Sequence, residues 1–246
     1  MIVTSMIQQS FDPRLHPFIA YCQERAAEHL TMMSANSALM PSTHLIVAEV
    51  KERVVGFADF RFGIHEDFLS NVCVSTGSRG QGIATKLLRW WMDMADRETL
   101  SLDVFADNHP AIRLYERFGF QFLHEHYWTV RPLTLGVNDE SVDVQVKDFP
   151  NTFASLRTFG FAQLTVSYKE TDYRLGLPST QVLRVPDEPL FGDDSFLTSI
   201  KYLMPALTTA LFTQAADIPP SDASCEMVQR SQRMQLTKTT ARERSK

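Results

Sequence analysis

The glycines of this chain are few and unevenly placed. Of ten glycines in 246 residues, three fall within six positions, at Gly77, Gly80 and Gly82. They lie in segment 72–85, where an apolar run predicts a strand, the glycines predict a turn, and the residues after Gly82 predict an amphipathic helix. The first N–H groups of a helix have no intrahelical partner, and the helix dipole adds positive potential there. Because glycines let a phosphate approach these groups closely, the segment predicts a pyrophosphate-binding turn.

Two common phosphate-binding motifs do not fit this turn. A P-loop needs a lysine directly after its second glycine, whereas Ile83 follows Gly82 here. A dinucleotide-binding fingerprint needs a third glycine where this chain has Thr85. The pattern that the segment does contain is Arg-x-x-Gly-x-Ala, formed by Arg79, Gly82 and Ala84.

A second motif follows after one predicted helix and one predicted strand. It begins at Asn108 and reads Asn-His-Pro-Ala-Ile-Arg-Leu-Tyr-Glu-Arg-Phe-Gly-Phe, with Tyr115 on a predicted helix and Gly119 at its end. Together the two motifs resemble those of the GNAT superfamily of N-acetyltransferases, Gln/Arg-x-x-Gly-x-Gly/Ala and Asn-x-x-Ala-x-x-x-Tyr-x-x-x-Gly-Phe. The resemblance covers residues 1–132. It implies the GNAT acyl-CoA N-acyltransferase fold, a central mixed β-sheet flanked by helices.

The resemblance also implies an activity and a set of binding residues. An acetyl group would move from acetyl-CoA to a primary amine by direct attack in a ternary complex. Tyr115 would protonate the leaving CoA thiolate, which a tyrosine pKa of about 10 makes feasible. Backbone amides before the turn would hold the pantetheine arm together with Asn108, and amides of the turn would hold the pyrophosphate. The cofactor-binding residues implied in this way are Val72, Cys73, Val74, Arg79, Gly80, Gln81, Gly82, Ile83, Ala84, Thr85, Asn108 and Tyr115.

The proton acceptor is not determined by the sequence. Many members of the family carry a carboxylate on the strand before the turn, where this chain has Ser70 and Asn71. Glu66 and Asp67, just upstream, are the candidates, and Glu66 is taken as the catalytic base. A water relay and a merely solvated turn remain open as alternatives.

Other potentially reactive side chains receive structural interpretations. Cys73 lies inside an apolar strand, which indicates a buried, inert thiol rather than a nucleophile. His124 and His126 share one strand face, but no third ligand is nearby and no metal site is predicted. The remaining cysteines, Cys22 and Cys225, are far from Cys73 in sequence, so no disulfide framework is expected and a reducing cytoplasm is favoured.

The composition of the chain limits the kinds of molecule that it is expected to bind. The chain is 44% hydrophobic and 22% charged, with a formal net charge of −5, which excludes a fibrous or disordered chain and does not favour nucleic acid. No apolar run approaches the roughly 20 residues of a membrane span. The expected partner is an amine-bearing acceptor, either a small molecule or a protein amine, and a homodimer is left open. Loops 32–43 and 62–67 would shape the acceptor pocket, without a recognisable specificity motif.

The elements that must position these residues alternate along the first half of the chain. Strands over 44–50, 54–62 and 68–74 precede a helix over 82–95, a strand over 100–105, a helix over 110–118 and a strand over 120–130. A helix over 15–30 comes before them. This order is typical of a mixed α/β sheet. The predicted domains are a GNAT domain over 1–132, a smaller α/β region over 133–218 and a basic, disordered tail over 219–246. The second region would follow a linker at 136–140 and include a kinked helix over 195–216.

A faint internal repeat leaves the second half open to two interpretations. Segment 103–120, ending in Phe-Gly-Phe, resembles segment 143–161, which has the same ending and carries Leu156 at the position of Tyr115. The second half is then a degenerate GNAT-like copy without a CoA turn, since no Arg-x-x-Gly-x-Gly/Ala occurs after residue 135. The alternative is an extension that covers the acceptor cleft or forms a dimer contact.

Two rival functions also remain at this point. A domain that binds acyl-CoA without turnover would act as a sensor or scaffold, an interpretation that Tyr115 opposes and that the absence of a carboxylate at Ser70 and Asn71 mildly favours. In the second interpretation, the second half of the chain is an interaction module. The chain should then remain stable and active without the residues from Pro132 onward.

Overall fold

The fold is described from a computed structural model that covers residues 2–135, 144–215 and 224–238. It is an α/β fold with mixed β-structure flanked by helices. The helices are α1 (Ile2–Ser10), α2 (Ala26–Ala35), α3 (Ile83–Met94), α4 (His109–Arg117), α5 (Phe149–Phe159), α6 (Glu188–Phe191) and α7 (Asp194–Leu203). The strands are β1 (Thr43–Val50), β2 (Arg53–Phe62), β3 (Asp67–Val74), β4 (Thr99–Phe105), β5 (Gln121–Pro132), β6 (Val144–Val146), β7 (Ala162–Tyr168), β8 (Thr171–Leu177), β9 (Val182–Val185), β10 (Thr209–Ala215) and β11 (Glu226–Thr237).

The chain forms two compact units, each built from separate stretches of sequence. Within the described residues, unit 1 comprises 2–10, 31–125 and 230–238, and unit 2 comprises 11–30, 126–135, 144–215 and 224–229. The unit boundaries therefore fall inside α2, β5 and β11, which differs from the predicted division after residue 132. The physical reason is that the end of the chain returns to pair with β4 of unit 1.

Unit 1 contains the sheet that holds both sequence motifs. Its strand order is β1-β2-β3-β4-β11, with antiparallel pairs except for β3 and β4, which are parallel and joined across α3. The apolar face of α3 is buried on this sheet, and Trp91 stacks on Phe60 and Phe120 at ring-centroid distances of 5.3 and 6.0 Å. Helix α1 packs against β2 and β3. The predicted hairpin, crossover helix and second helix are thus confirmed.

Strand β11 corrects the predicted disordered tail. It pairs with β4 from Ser231↔Phe105 to Thr237↔Thr99 and places Met234, 1% exposed, in the core of unit 1. The prediction was wrong for 226–237 because few of these residues are apolar, and the side chains that face the core are separated by polar ones. Residues 239–246 lie outside the described part of the chain.

Unit 2 has its own sheet, in the order β5-β10-β9-β8-β7-β6. Strands β6 to β9 are antiparallel neighbours, β9 and β10 are parallel and joined across α6 and α7, and β10 is antiparallel to β5. Its core is separate and apolar, and includes Leu164, Leu177, Phe196 and Ile200.

The two units repeat one topology, but in a different register from the predicted repeat. The series β1–β2–β3–α3–β4 has its counterpart in β7–β8–β9–α6/α7–β10. Both leading hairpins turn on a Lys-Glu pair with positive φ, at Lys51 (50°) and Glu52 (60°) and at Lys169 (47°) and Glu170 (62°). Because β10 corresponds to β4, the predicted match of Leu156 with Tyr115 was wrong.

Two predicted helices also differ from the structure. The segment 15–30 begins with 3-10 turns at Pro13–Phe18 and Ala20–Cys22, since its prolines interrupt a regular helix, and α2 starts only at Ala26. The helix predicted over 195–216 ends at Leu203, and the apolar run after Pro205 is strand β10. The predicted linker at 136–140 lies outside the described residues.

Candidate active site

The turn between β3 and α3 has the geometry of an anion site. Gly80 (φ 77°) and Gly82 (φ 76°) take left-handed conformations, and Gly82 begins α3 without a side-chain hydrogen bond to cap it. Among the described residues, no atom lies within 4 Å of the position that a Cβ would occupy on either glycine. A phosphate therefore has an open approach to the first N–H groups of α3. The residues fit the pyrophosphate expected from the sequence.

The other predicted turn residues support this opening or contribute backbone only. Arg79 donates from Nε to the carbonyl of Val74 at 3.2 Å, and Gln81 donates from Nε2 to the carbonyl of Gly77 at 3.4 Å. Both side chains are exposed. Ile83 points into the core of unit 1, so only its amide is available, while Ala84 and Thr85 are half-buried on the first turn of α3.

A gap opens between β3 and β4 next to this turn. The two strands pair only from Asp67↔Leu100 to Leu69↔Leu102, whereas β3 continues to pair with β2 as far as Val74↔Gly56. The register of β3 on β2 skips Ser70, which is the extra residue of a β-bulge. The bulge bends β3 away from β4, and the predicted pantetheine-binding residues Val72, Cys73 and Val74 lie beyond it.

Tyr115 of α4 lies in the core of unit 1. Tyr115 is 5% exposed and makes an edge contact with Phe120 at 6.1 Å. Burial raises the pKa of Tyr115, and its electrostatic interaction with Cys73 adds to this rise. Within the described part of the chain its hydroxyl makes no hydrogen bond, so it is available to a ligand.

Asn108 positions the helix that carries Tyr115. Its Oδ1 accepts a hydrogen bond from the amide of Ala111 at 3.3 Å, which is the usual role of an asparagine at a helix start. Gly119 (φ 91°) ends the same helix. Asn108 is exposed, and its Nδ2 group remains for the predicted contact with pantetheine.

Glu66, predicted as the catalytic base, does not join this group. It precedes β3 by one residue, and at about 3.3 Å per residue it lies roughly 20 Å along the strand from Cys73. Its carboxylate accepts a hydrogen bond from Ser101 Oγ at 2.5 Å and lies 3.8 Å from Arg233 Nη1. Asp67 is fully buried and accepts the amides of Gly63 and Arg97, each at 3.2 Å. The Glu66 carboxylate is therefore held by side chains of β4 and β11, whereas that of Asp67 stabilises the turn before β3.

The sequence-based prediction missed Asp103 and its partner. Asp103 is the first residue of β4 after the last pair with β3, so it lies where the gap begins. Its oxygens accept hydrogen bonds from Arg233 Nε at 2.6 Å and Nη2 at 3.0 Å. Burial opposes the charge of Arg233, but the bonds to Asp103 outweigh this and raise the pKa of Arg233. No local signal could have revealed the pair, because the two residues are 130 positions apart.

The structure also bears on the other side chains that could carry chemistry and on the possibility of a membrane helix. Burial raises the pKa of the Cys73 thiol, and its interaction with the Ser10 side chain only partly offsets this shift, as expected for a poor nucleophile. In the described segments no group of three or more His, Cys, Asp or Glu side chains could hold a metal ion. None of the helices described above has the length and apolar character needed to cross a membrane.

Comparison with known proteins finds a family match for the segment that contains both motifs. Residues 7–120 match the model of the Acetyltransferase (GNAT) family. A putative [ribosomal protein bS18]-alanine N-acetyltransferase of Bacillus subtilis (strain 168) is 29% identical over 94 residues, which are 36% of this chain and 62% of that protein. The L-amino acid N-acetyltransferase AaaT of Escherichia coli (strain K12) is 35% identical over 54 residues, which are 20% of this chain and 33% of that protein. This chain therefore spans less than two thirds of either relative.

A solved structure covers more of the chain. The tandem GNAT protein from the clavulanic acid biosynthesis pathway matches 80% of this chain and 84% of its own, with a TM-score of 0.55 and 15% identity. At that identity the likeness concerns the fold alone, and it agrees with the repeated topology of the two units. It is thus residues 7–120, with their uncapped glycine turn, strand gap and buried tyrosine, that match the GNAT family of acetyltransferases.

Proposed function

We propose that this protein is an acetyl-CoA-dependent N-acetyltransferase whose chemistry takes place in unit 1. The observation that carries the proposal is the coincidence of three features in that unit. These are an uncapped, glycine-lined helix start, the separation of β3 from β4 at Ser70, and the buried phenol of Tyr115 on α4. Each has an ordinary structural explanation alone, but together they form one continuous place for a phosphate, a narrow arm and a reacting sulfur.

The residues of unit 1 would bind acetyl-CoA mainly through backbone. The first amides of α3 would hold the pyrophosphate, and the edge of β3 beyond the bulge would pair with the amide groups of pantetheine. Amides of Val72, Cys73 and Val74 that face the gap would also stabilise the negative charge that develops on the thioester oxygen. Such donors are effective here because the surroundings are apolar and fixed.

Tyr115 would donate a proton to the sulfur as the thioester breaks. Its raised pKa keeps the phenol protonated across the neutral range, so that it is always in the donor form. A raised phenol pKa also makes proton release harder. The developing thiolate lies in the same poorly solvated gap, where burial raises its own basicity and restores the balance.

Asp103 would accept the proton of the attacking amine, directly or through a water molecule. It lies where the gap begins, and Arg233 fixes the orientation of its carboxylate. The carboxylate also favours a cationic acceptor near the gap. The names of the two relatives refer to alanine of a ribosomal protein and to L-amino acids, so amines of amino acids and of peptides are the first acceptors to test.

Calorimetric titration with acetyl-CoA, followed by a CoA-thiol release assay over a panel of amines, tests the proposal. Binding with thiol release on an amine is expected. Binding without release on any amine would favour the alternative of a non-catalytic acyl-CoA sensor or scaffold. Absence of binding would contradict both.

A further inference from the structure

We propose that the Ser70 hydroxyl is a substrate-binding group of unit 1, which holds the attacking amine beside Asp103 and selects primary over secondary amines. The inference rests on the proposed function, because it needs acetyl transfer in unit 1. It gives a role to the residue at which β3 leaves β4.

The first argument is the position of Ser70 on its strand. It is the extra residue of the β-bulge, because the register of β3 on β2 passes over it. The residue before it, Leu69, is the last of β3 to pair with β4, where it lies opposite Leu102. The next residues along these two parallel strands are Ser70 and Asp103. They therefore occupy the first register position of the gap.

The second argument is that Ser70 and Asp103 lie on one face of the sheet. Leu69 and Val72 both pack in the core beneath α3, so the two bulge residues between them face the opposite side. Both neighbours of Asp103 on β4 are buried in the same core, and Asp103 faces away from it as well. Adjacent strands are about 4.8 Å apart, and these two diverge from here. A small group that enters the gap can thus meet the hydroxyl on one side and the carboxylate on the other.

The third argument is the state of the hydroxyl. Oγ of Ser70 is closed to solvent and, in the part of the chain that the structure describes, has no hydrogen-bond partner. A buried hydroxyl without a partner is unfavourable, and a ligand atom that pairs with it removes this cost. Because Oγ is enclosed next to the gap, we expect it to be reached by atoms that enter between β3 and β4.

A primary amine suits these two groups. The neutral amine has two N–H hydrogens and one lone pair. One hydrogen bonds to Ser70 Oγ and the other to Asp103, whose carboxylate Arg233 orients, so the lone pair remains for the thioester carbon. As the C–N bond forms and the C–S bond breaks, the proton on nitrogen passes to Asp103, and Ser70 keeps its own hydrogen. An N-methyl amine has one N–H and cannot bond to both oxygens.

The experiment measures CoA-thiol release by the full-length protein at saturating acetyl-CoA. The acceptors are the amine of the panel that reacts fastest and its N-methyl derivative. We expect Ser70→Ala to lower kcat/KM for the primary amine by at least about tenfold, and to have little effect on the N-methyl derivative, so that selectivity decreases. Ser70→Cys fills the space with a weaker acceptor and should behave in the same way. The Kd of acetyl-CoA should not change in either variant.

Stability distinguishes this role from a structural one. The Ser70 hydroxyl makes no bond that Ser70→Ala would break in the protein alone, so the Tm of this variant should be unchanged or higher. Thr129→Val in unit 2 is the matched control. Thr129 is 2% exposed, and its hydroxyl also finds no partner among the described residues. This variant should leave both thiol release and amine selectivity unchanged.

The outcomes separate this inference from the proposed function. If Ser70→Ala keeps the rate and selectivity of the unaltered protein while Tyr115→Phe loses turnover, the inference is overturned and the proposed function stands. Equal losses with both amines, weaker binding of acetyl-CoA or a lower Tm in Ser70→Ala would show that Ser70 shapes the bulge, and would also overturn it. If the unaltered protein releases no thiol with any amine, the proposed function fails first, and this inference fails with it.

Discussion

The two units differ most clearly at the start of their crossover helices. In unit 1, Gly82 opens α3 and leaves its first amides without a side-chain acceptor. In unit 2, Asp187 accepts the amide of Leu190 at 2.9 Å, and Asp193 accepts the amide of Phe196 at 3.1 Å. These carboxylates stabilise α6 and α7, but they occupy backbone amides that could otherwise bind a phosphate. Their negative charge would also repel a phosphate. One topology therefore provides an anion site in one unit and a stable helix start in the other.

The parallel strand pairs differ in the same sense. Strands β3 and β4 pair over three residues and then separate, whereas β9 pairs with β10 along its whole length, from Val182↔Thr209 to Val185↔Phe212. Unit 2 therefore lacks, among its described residues, the gap that would admit a pantetheine arm. If unit 1 binds acetyl-CoA as proposed, one bulge and one helix cap distinguish it from a unit of the same topology that lacks both openings.

Removal of β11 should have the largest effect, because it takes from unit 1 the strand that pairs with β4. A chain ending at Ala223 would lose the pairing with β4, the buried Met234 and the two bonds from Lys238 Nζ to the carbonyls of Met92 and Ala95 at 2.8 and 2.7 Å. We expect loss of cooperative unfolding in unit 1 and loss of acetyl-CoA binding, measured by circular dichroism and calorimetry. A chain ending at Lys238 is the matched control and should bind normally.

The same argument contradicts the expected independence of residues 1–131. A fragment that ends before Pro132 lacks β11 and should not be active. A stable fragment that releases CoA thiol with an amine would show that unit 1 does not need the returning strand.

Tyr115→Phe should lower kcat by about 10²- to 10⁴-fold and leave the Kd of acetyl-CoA nearly unchanged, since only the proton donor is lost. The matched control in unit 2 is Tyr168→Phe, which removes a hydroxyl bonded to Asp193 at 2.9 Å and should cost about 1 kcal/mol of stability without affecting turnover. Because the pKa of Tyr115 is raised, no loss of activity from its ionisation should appear below about pH 10. Unchanged turnover in Tyr115→Phe would remove its role as the acid.

Gly82→Asp should transfer the anion-repelling feature of unit 2 to unit 1. The left-handed backbone disfavours any side chain by about 1–2 kcal/mol, and a carboxylate at the helix start repels a phosphate. We expect the affinity for acetyl-CoA to fall at least about tenfold by calorimetry, given that 1.4 kcal/mol corresponds to a factor of ten. Gly77→Ala is the control, because Gly77 has no positive φ and no neighbour within 4 Å of an added Cβ.

Asp103→Asn should lower kcat with little change in acetyl-CoA affinity, since it removes a proton acceptor and keeps the shape. A decrease of about tenfold or more is expected, and it should be smallest at high pH, where the amine is already neutral. Glu66→Gln is the comparison that sharpens the assignment. A larger decrease in kcat for Glu66→Gln than for Asp103→Asn would identify Glu66 as the base and contradict the assignment of Asp103.

Asp193→Asn should have the smallest effect and should be confined to unit 2. Burial raises the pKa of Asp193, but its bonds to Lys169, Phe196 and Tyr168 outweigh this and lower it overall. A lowered pKa in the folded state means that this stabilisation is complete above the unfolded value of about 3.9 and is lost as the pH falls below it. Urea unfolding should show a cost of about 1 kcal/mol at neutral pH that shrinks toward pH 3. A change in acetyl-CoA affinity would contradict the separation of the two units.

Much of unit 1 could be predicted because its signals are local. The hairpin around Lys51, the glycine turn, and the motif from Asn108 to Gly119 each occupy fewer than twenty consecutive residues, and the structure places each where the pattern indicates. The helices predicted over 15–30 and 195–216 failed for a local reason as well, since Pro17 and Pro205 interrupt apolar runs that otherwise have helical spacing.

The sequence by itself determined the family motifs, the glycine turn and the helix that carries Tyr115, because glycine conformation, helix starts and helix periodicity depend on neighbours in the chain. Only the tertiary structure decided that β11 completes unit 1, that Arg233 binds Asp103 next to the last pair of β3 with β4, and that the true repeat begins at the Lys-Glu turns. Strand pairing joins residues that are more than a hundred positions apart, and its energy comes from burial and hydrogen bonds that a sequence pattern of few apolar residues does not reveal.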